Sequence, residues 1–148
     1  LRLAAPMHDV GKIGIPEAVL NKPARLTKEE FKAIQEHARI GYEILNKSNR
    51  SIMKAAAIVA LQHHERWDGT GYPQGLSGDD IHIFGRIAAV ADVFDALCHS
   101  RCYKDAWSID KVIELFKDES GTHFDHELVL VLLSNIDEFN GINRRFPA

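Results

Sequence analysis

The segment from residue 86 to residue 97 is apolar on nearly every side, yet it contains two aspartates, Asp92 and Asp95, one helical turn apart. A helix that is apolar all round is expected to be buried. Burying a carboxylate in such a helix costs several kcal/mol unless the group is paired, protonated or bound to a metal ion. The sequence therefore predicts a central helix that presents acidic groups to a site.

Helical periodicity dominates the rest of the chain. Thr27 and Glu30 have the spacing of a capping box, and apolar residues follow them at helical intervals. Residues 1–5 resemble the end of a helix. Three more helices are predicted at residues 51–63 with Ser51 as the cap, at residues 108–116 with Ser108 at the start, and at about residues 126–139. Since no segment alternates at period two for long enough to form a sheet, the predicted fold class is an all-α helical bundle.

A long glycine-rich loop interrupts the helices between about Trp67 and Asp80. It contains four of the ten glycines of the chain, at positions 69, 71, 75 and 78. Glycine at this density marks a turn-rich connection rather than a helix. As a simple turn the segment would need no function, because Asp-Gly and Tyr-Pro pairs both favour turns.

Composition narrows the class of protein. With 148 residues and a net charge of -3, the chain has the size of one ordinary domain and is not broadly basic, so we expect no DNA or RNA partner. No apolar run approaches the roughly 20 residues that cross a membrane, so no membrane contact is expected. Cys98 and Cys102 match neither a disulfide framework nor a zinc spacing, and a reducing cytoplasm is the expected location.

Histidines and aspartates recur where inward faces are predicted. The chain has eight histidines. A single one on an apolar face, such as His37, is more often a core residue than a ligand, and a pair at a helix end often only complements the helix dipole. Several predicted helices, however, each contribute an imidazole or a carboxylate. That coincidence favours a multinuclear site for zinc, iron or manganese, and the lack of thiolate partners argues against a structural zinc site.

Two segments give the chain a resemblance to a known family. HDVGKIGIP at residues 8–16 resembles the motif that opens the HD-GYP branch of the HD phosphohydrolases, and HHERWDGTGYP at residues 63–73 resembles the motif that completes the name of the branch. Further matches follow in the order of the family: Arg86-Ile87, VADVFDAL at residues 90–97, Arg101 with Tyr103-Lys104, and GTHFD at residues 121–125.

The resemblance implies a helical HD domain that binds two or three divalent ions, usually iron or manganese. Its implied activity is hydrolysis of the bacterial second messenger cyclic di-GMP to pGpG, through attack of a metal-bridging hydroxide on phosphorus, with a slower second cut to GMP left open. The metal ligands carried over from the family are His8, Asp9, His37, His63, His64 and Asp92. Asp9 takes the position of the carboxylate that bridges two ions. Asp95 is not expected to bind an ion and would at most support a residue that does.

Substrate contacts are implied in the same way. Lys12 would lie beside the phosphate and assist Asp9 in catalysis, while Tyr72 would contact the ligand from the glycine-rich loop. Arg101 and Lys104 would bind the far phosphate or a guanine. The implied partners are cyclic di-GMP and a diguanylate cyclase (GGDEF) domain that docks on the GYP loop. A second copy of the chain is a further expected partner, because it would cover the helix face that a missing N-terminal segment leaves exposed.

The chain also departs from the family pattern. Cys102 and His126 stand where the family usually has proline, and only seven residues precede His8, whereas relatives have a further helix there that supplies additional ligands. We therefore expect residues 1–148 to be a single HD-GYP domain that lacks the N-terminal helix or helices and forms the output part of a longer bacterial signalling protein. Two alternatives stay open: a non-catalytic nucleotide-binding or docking module, and an HD phosphohydrolase that acts on another nucleotide.

Overall fold

The computed structural model describes residues 1–99 and 106–145, and these residues form helices and connecting loops without a strand. The predicted all-α fold is confirmed. Short 3-10 helices cover Ala5–Met7, Val10–Gly14 and Gly78–Asp80. The α-helices of the described residues are α1 (Glu17–Leu20), α2 (Lys28–Leu45), α3 (Ser51–Gln62), α4 (Ile83–Cys98), α5 (Ile109–Asp118), α6 (His126–Ser134) and α7 (Ile136–Arg145).

Helix α2 begins at the capping box that the sequence predicts. The backbone N–H of Glu30 donates to Thr27 Oγ1 at 3.2 Å, and the backbone N–H of Thr27 donates to the Glu30 carboxylate at 2.7 Å. Both donors would otherwise lack a partner at the start of the helix. The capped helix buries one face, on which His37, Ala38 and Leu45 lie.

Small residues allow the backbones around α2 to approach closely. A Cβ atom on Gly11 would lie 1.9 Å from the carbonyl oxygen of His37, and one on Gly41 would lie 3.1 Å from the Cβ of Ala60. The 3-10 helix after Asp9 therefore lies directly against α2, which in turn packs on α3. This packing holds the His8-Asp9 segment next to the buried face of α2.

An apolar core lies beside the C-terminal half of α4. Phe116 and Phe124 stack with ring centroids 4.6 Å apart, and both contribute to the same cluster as Phe94 and Leu132. Helices α5 and α6 thus pack against α4 through Phe94 and Leu97. Helix α3 also packs on α4, and a Cβ on Gly85 near the start of α4 would lie 2.7 Å from the Cβ of Gln62. Helix α4 is the central element that the sequence predicts.

Several predicted boundaries are wrong. Residues 1–4 form a turn rather than the end of a helix, and α3 begins at Ser51 itself with Arg50 as the cap residue. The expected last helix is two helices, because Asn135 departs from helical geometry with φ −123° and ψ 23° and separates α6 from α7. Ser108 is confirmed at the start of the helical segment, as the N-cap residue that directly precedes α5, although its side chain makes no capping hydrogen bond.

Other predictions concern features away from the core. Among the described residues, no helix has both the length and the apolar composition needed to span a bilayer. Cys98 is a free thiol. Cys102, and the predicted substrate contacts Arg101 and Lys104, lie outside the described residues.

Candidate metal centre

Four parts of the chain bring the predicted ligands together. His8 and Asp9 precede the 3-10 helix Val10–Gly14, His37 lies on α2, His63 and His64 follow α3, and Asp92 lies on α4. One ligand atom from each of four residues falls in a group whose members are all within 4.8 Å of one another, and the four are Asp9, His37, His63 and His64.

The two oxygens of Asp9 face different sides of the centre. Oδ1 lies 3.4 Å from His37 Nε2 and 3.9 Å from His63 Nε2. Oδ2 lies 3.3 Å from His8 Nε2 and also accepts a hydrogen bond from Lys12 Nζ. On that second side, His8 Nε2 is 3.7 Å from Asp92 Oδ1. Asp9 therefore lies between one set of imidazoles and a second set made of His8 and Asp92.

A test of metal fit comes from Asp9 Oδ1. This oxygen is buried and accepts no hydrogen bond within the part of the chain that the structure describes. A buried carboxylate oxygen without a partner is costly, and a cation beside it would remove the penalty. Imidazole nitrogens and carboxylate oxygens are donors that iron, manganese and zinc all accept. The residues present therefore fit divalent metal ions.

Backbone carbonyls fix the orientation of three imidazoles. In each ring Nδ1 is hydrogen-bonded to a carbonyl three or four residues earlier, so that Nε2 is left as the acceptor that faces the centre. The pairs are His8 with Ala5 at 2.8 Å, His37 with Ile34 at 2.6 Å, and His63 with Val59 and Ala60, both at 3.0 Å. The rings are thus oriented for ligation by the helices that carry them.

Burial controls the protonation of the imidazoles at the end of α3. Burial lowers the pKa of His63 to about 4 and that of His64 to about 2, with a further contribution from neighbouring imidazoles. Both rings are therefore neutral near pH 7 and offer lone pairs. The hydrogen bond to Asp9 instead raises the pKa of His8, so a proton and a metal ion compete for its Nε2. Burial opposes ionisation of Asp9, but hydrogen bonds from His8 and Lys12 outweigh it and hold the pKa of Asp9 well below its usual range.

The glycine-rich loop returns to the centre at Tyr72. The Tyr72 ring stacks on His64 with centroids 4.7 Å apart and an interplanar angle of 27°, and it meets Phe31 edge-on at 6.4 Å. Burial raises the pKa of Tyr72, so its phenol is neutral at physiological pH and can donate a hydrogen bond. The structure therefore brings Tyr72 together with the predicted ligands.

The two aspartates of α4 have different environments. The side chain of Asp95 is 66% exposed and lies 3.1 Å from His99 Nδ1, so the expectation that both carboxylates are buried is wrong for Asp95. Asp92 is partly buried beside His8. A cavity of about 400 Å³ opens at this side of the centre, and Arg2, His8 and Asp92 contribute to its walls.

Sequence reasoning missed Glu65. This residue is 2% exposed, and its carboxylate accepts hydrogen bonds from the backbone N–H groups of Gln74 at 2.7 Å and Leu76 at 3.0 Å. A glutamate directly after a pair of predicted ligands, at the start of a loop rich in glycine, was the available signal.

Known proteins are similar to this chain in sequence. The sequence model of the HD domain family matches residues 1–128. The chain is 48% identical over 147 residues to the 3'3'-cGAMP-specific phosphodiesterase 2 of Vibrio cholerae, with 99% of the chain covered and 28% of the relative. It is 48% identical over 148 residues to the cyclic di-GMP phosphodiesterase response regulator RpfG of Xanthomonas campestris, with 100% and 39% covered.

A third relative comes from another bacterium. The chain is 44% identical over 145 residues to a cyclic di-GMP phosphodiesterase of Thermotoga maritima, with 98% of the chain and 39% of the relative covered. The chain thus spans between 28% and 39% of the lengths of these three relatives.

Proposed function

The chain belongs to the HD domain family, and on that basis we propose that it is a metal-dependent phosphodiesterase that hydrolyses cyclic di-GMP to pGpG. The observation that carries the proposal is the position of Asp9, whose two oxygens face two separate sets of ligand-type residues. The relatives from Xanthomonas campestris and Thermotoga maritima are named as cyclic di-GMP phosphodiesterases, which supports the substrate.

We assign two ions to the centre, iron or manganese. His37, His63 and His64 would hold one ion together with Asp9, while His8 and Asp92 would hold the other on the opposite side of the same carboxylate. When bound, divalent ions polarise a phosphate and lower the pKa of water, which is the chemistry that phosphodiester hydrolysis needs. A third ion and the further cut to GMP are not part of the assignment.

Other side chains of the protein would stabilise charge on the phosphate and position the nucleotide. Lys12 Nζ donates a hydrogen bond to the Asp9 carboxylate, and from this position it would stabilise the negative charge that builds on the non-bridging phosphate oxygens. The neutral phenol of Tyr72 would donate a hydrogen bond to the nucleotide from the wall formed with His64. Arg101 and Lys104 are proposed to bind the far phosphate or a guanine, as the motif resemblance implies.

A second substrate has a specific observation in its favour. The relative from Vibrio cholerae is named as specific for 3'3'-cGAMP and is 48% identical to this chain. Both cyclic dinucleotides present the same diester to the same ligands, so the metal centre alone does not separate them. Discrimination would depend on contacts to the bases.

The wider context is proposed with the same function. Residues 1–148 would be the output domain of a longer bacterial signalling protein that works in the cytoplasm. A GGDEF domain and a second copy of the chain are the proposed protein partners. The loop around Tyr72 would be the docking point for the former.

The test is hydrolysis by protein that is purified without oxygen and reconstituted with Fe(II) or Mn(II), with cyclic di-GMP and 3'3'-cGAMP assayed side by side. Asp9→Asn and Asp92→Asn should each lower turnover at least about a hundredfold and reduce the metal content per chain. Asp110→Asn is the matched control, because Asp110 is exposed on α5, which supplies none of the ligands.

The outcomes of this assay separate the proposed function from its alternatives. Turnover of cyclic di-GMP that the Asp9 and Asp92 variants lose supports the proposal. Two ions bound without turnover of either nucleotide would favour a binding or docking module. Turnover of 3'3'-cGAMP alone would retain the reaction and change the substrate.

A further inference from the structure

Glu65 is a buried carboxylate that the proposed reaction does not use. It directly follows His63 and His64 in sequence, and only 2% of its surface is exposed. A charge in such a place needs hydrogen-bond partners. Oε1 accepts from the N–H of Gln74 at 2.7 Å and Oε2 accepts from the N–H of Leu76 at 3.0 Å. Both donors lie a few residues after Tyr72.

The loop also contacts the backbone on either side of Glu65. The N–H of Tyr72 donates to the carbonyl of His64 at 3.1 Å. A Cβ on Gly71 would lie 2.6 Å from that carbonyl oxygen and 2.3 Å from the backbone nitrogen of Arg66, so only glycine permits this approach. The segment from residue 71 to residue 76, which we call the Tyr72 loop, is therefore wrapped around the end of α3.

We propose that Glu65 is a positioning residue that holds the Tyr72 loop against the His64 ligand. It accepts hydrogen bonds from the backbone of Gln74 and Leu76, which follow Tyr72 in the loop. Tyr72 itself is held by its backbone N–H and by the stacking of its ring on His64. Glu65 is not among the residues assigned to hold an ion or to contact the nucleotide. Its effect is to place the Tyr72 phenol at the metal centre before substrate arrives.

This inference rests on the proposed function, in which Tyr72 contacts the nucleotide. In Glu65→Gln one carboxylate oxygen is replaced by an NH2 group, which cannot accept a hydrogen bond. One of the two backbone hydrogen bonds is therefore lost, and the NH2 group faces a backbone N–H that is also a donor. We expect KM for cyclic di-GMP to rise about tenfold and kcat to change less than about threefold, because binding by the loop is weakened while the ligands stay in place. Metal content per chain should stay at the wild-type value.

Two comparisons separate positioning from a general loss of structure. If Glu65 acts through Tyr72, the KM increase from Glu65→Gln should disappear in a Tyr72→Ala background. Gly71→Ala keeps the Glu65 carboxylate but forces the loop away from the backbone of residues 64–66, so it should reproduce the KM increase. Asp80→Asn is the matched control, since it makes the same carboxylate-to-amide change at an exposed position of the glycine-rich connection and should leave KM unchanged.

A readout independent of turnover is hydrogen exchange. The amides of Gln74 and Leu76 should exchange faster in Glu65→Gln than in the wild type, while amides of α5 and α6 keep their protection. If the protein hydrolyses no cyclic dinucleotide, the proposed function fails, and this exchange measurement still decides whether Glu65 holds the loop.

The inference is overturned by any of three results. Unchanged exchange in the Tyr72 loop would show that Glu65 does not hold it. A KM increase of the same size in the Tyr72→Ala background would show that Glu65 acts elsewhere. Loss of metal ions from Glu65→Gln would make it part of the metal centre instead.

Discussion

Arg86 on α4 donates from Nη1 to Asp125 Oδ2 at 2.9 Å, across 39 positions of the sequence. The Arg86 side chain is 16% exposed and that of Asp125 is 7% exposed, so the pair is largely removed from water. Arg86 also lies over the Trp67 ring, 5.5 Å from its centroid, at the start of the glycine-rich loop. One guanidinium thus connects α4, the loop and the start of α6.

Removing Asp125 should destabilise the protein strongly. Asp125→Ala leaves the buried Arg86 charge without its buried partner, and it also removes the acceptor for the N–H of Glu127 at the start of α6. We expect the free energy of unfolding to fall by about 3–5 kcal/mol, measured by urea denaturation.

The matched control is Asp79→Ala. Asp79 pairs with the same Arg86 nitrogen at 3.0 Å, but its side chain is 91% exposed. An exposed pair is worth at most about 1 kcal/mol, so this variant should unfold nearly like the wild type. Equal losses in the two variants would contradict the role given to burial.

The close contact at Gly11 makes a second prediction. A Cβ at this position would overlap the His37 carbonyl oxygen at 1.9 Å and the Gly41 nitrogen at 2.4 Å, and both are backbone atoms. Gly11→Ala should therefore push the Asp9 segment away from α2 and reduce the metal content per chain, measured by elemental analysis. A stability loss of several kcal/mol should accompany it.

Gly141→Ala is the control for that substitution. A Cβ on Gly141 meets no atom within 4 Å, and the residue lies inside α7. Alanine there should leave the metal content unchanged and raise the unfolding free energy by about 0.5–1 kcal/mol. Normal metal content in Gly11→Ala would mean that the close approach does not place Asp9.

Local signals carried the sequence prediction furthest. The side chains of Thr27 and Glu30 each accept a hydrogen bond from the backbone N–H of the other residue, three positions away. The sequence pattern alone therefore predicted the start of α2. Asp92 and Asp95 share a helix and a similar local sequence, yet one lies beside His8 and the other is mostly exposed. That difference depends on which neighbours pack against α4, which periodicity does not encode.

Long-range contacts explain what the sequence did not show. Residue types predicted the group of imidazoles and carboxylates, but the position of Asp9 between two sets arises from the approach of Gly11 to α2. The partners of Glu65 lie nine and eleven residues away in a loop without regular periodicity. The break at Asn135 falls directly after an apolar run that fits a continuous helix.

Metal binding should stabilise the fold. A ligand that binds only the folded state at about a hundred times its Kd adds about 2.7 kcal/mol, which corresponds to a rise in Tm of roughly 5–10 °C for a domain of this size. We expect Mn(II) to raise the Tm of the wild type by about this amount in a thermal melt, and to raise that of His37→Gln by much less.

His126→Gln provides the comparison for His37. His126 is exposed at the start of α6 and bonds to Ser120 rather than to any residue of the metal centre. This variant should keep the full Mn(II)-dependent rise in Tm. An equal rise in His37→Gln would remove His37 from the ligand set.

His123 should make stability depend on pH. Its ring stacks on Phe124 at 4.1 Å, and burial, with Arg66 nearby, lowers the pKa of His123 from its ordinary 6.5. Below pH 6.5 the unfolded chain therefore binds a proton that the folded chain still excludes. The contribution of His123 to stability is complete above pH 6.5 and decreases as the pH falls through 6.5 toward the folded pKa.

The measurement is urea unfolding of metal-free protein at pH 7.5 and pH 5.5. Wild type should lose more unfolding free energy between the two pH values than His123→Gln, because the variant lacks the excluded proton. The other ionisable groups are the same in both proteins, so their contributions to the pH dependence cancel in the difference. His126→Gln removes an exposed imidazole from α6 and is the matched control for the loss of a histidine. If His123→Gln shows the wild-type pH dependence, the buried ring of His123 does not resist protonation.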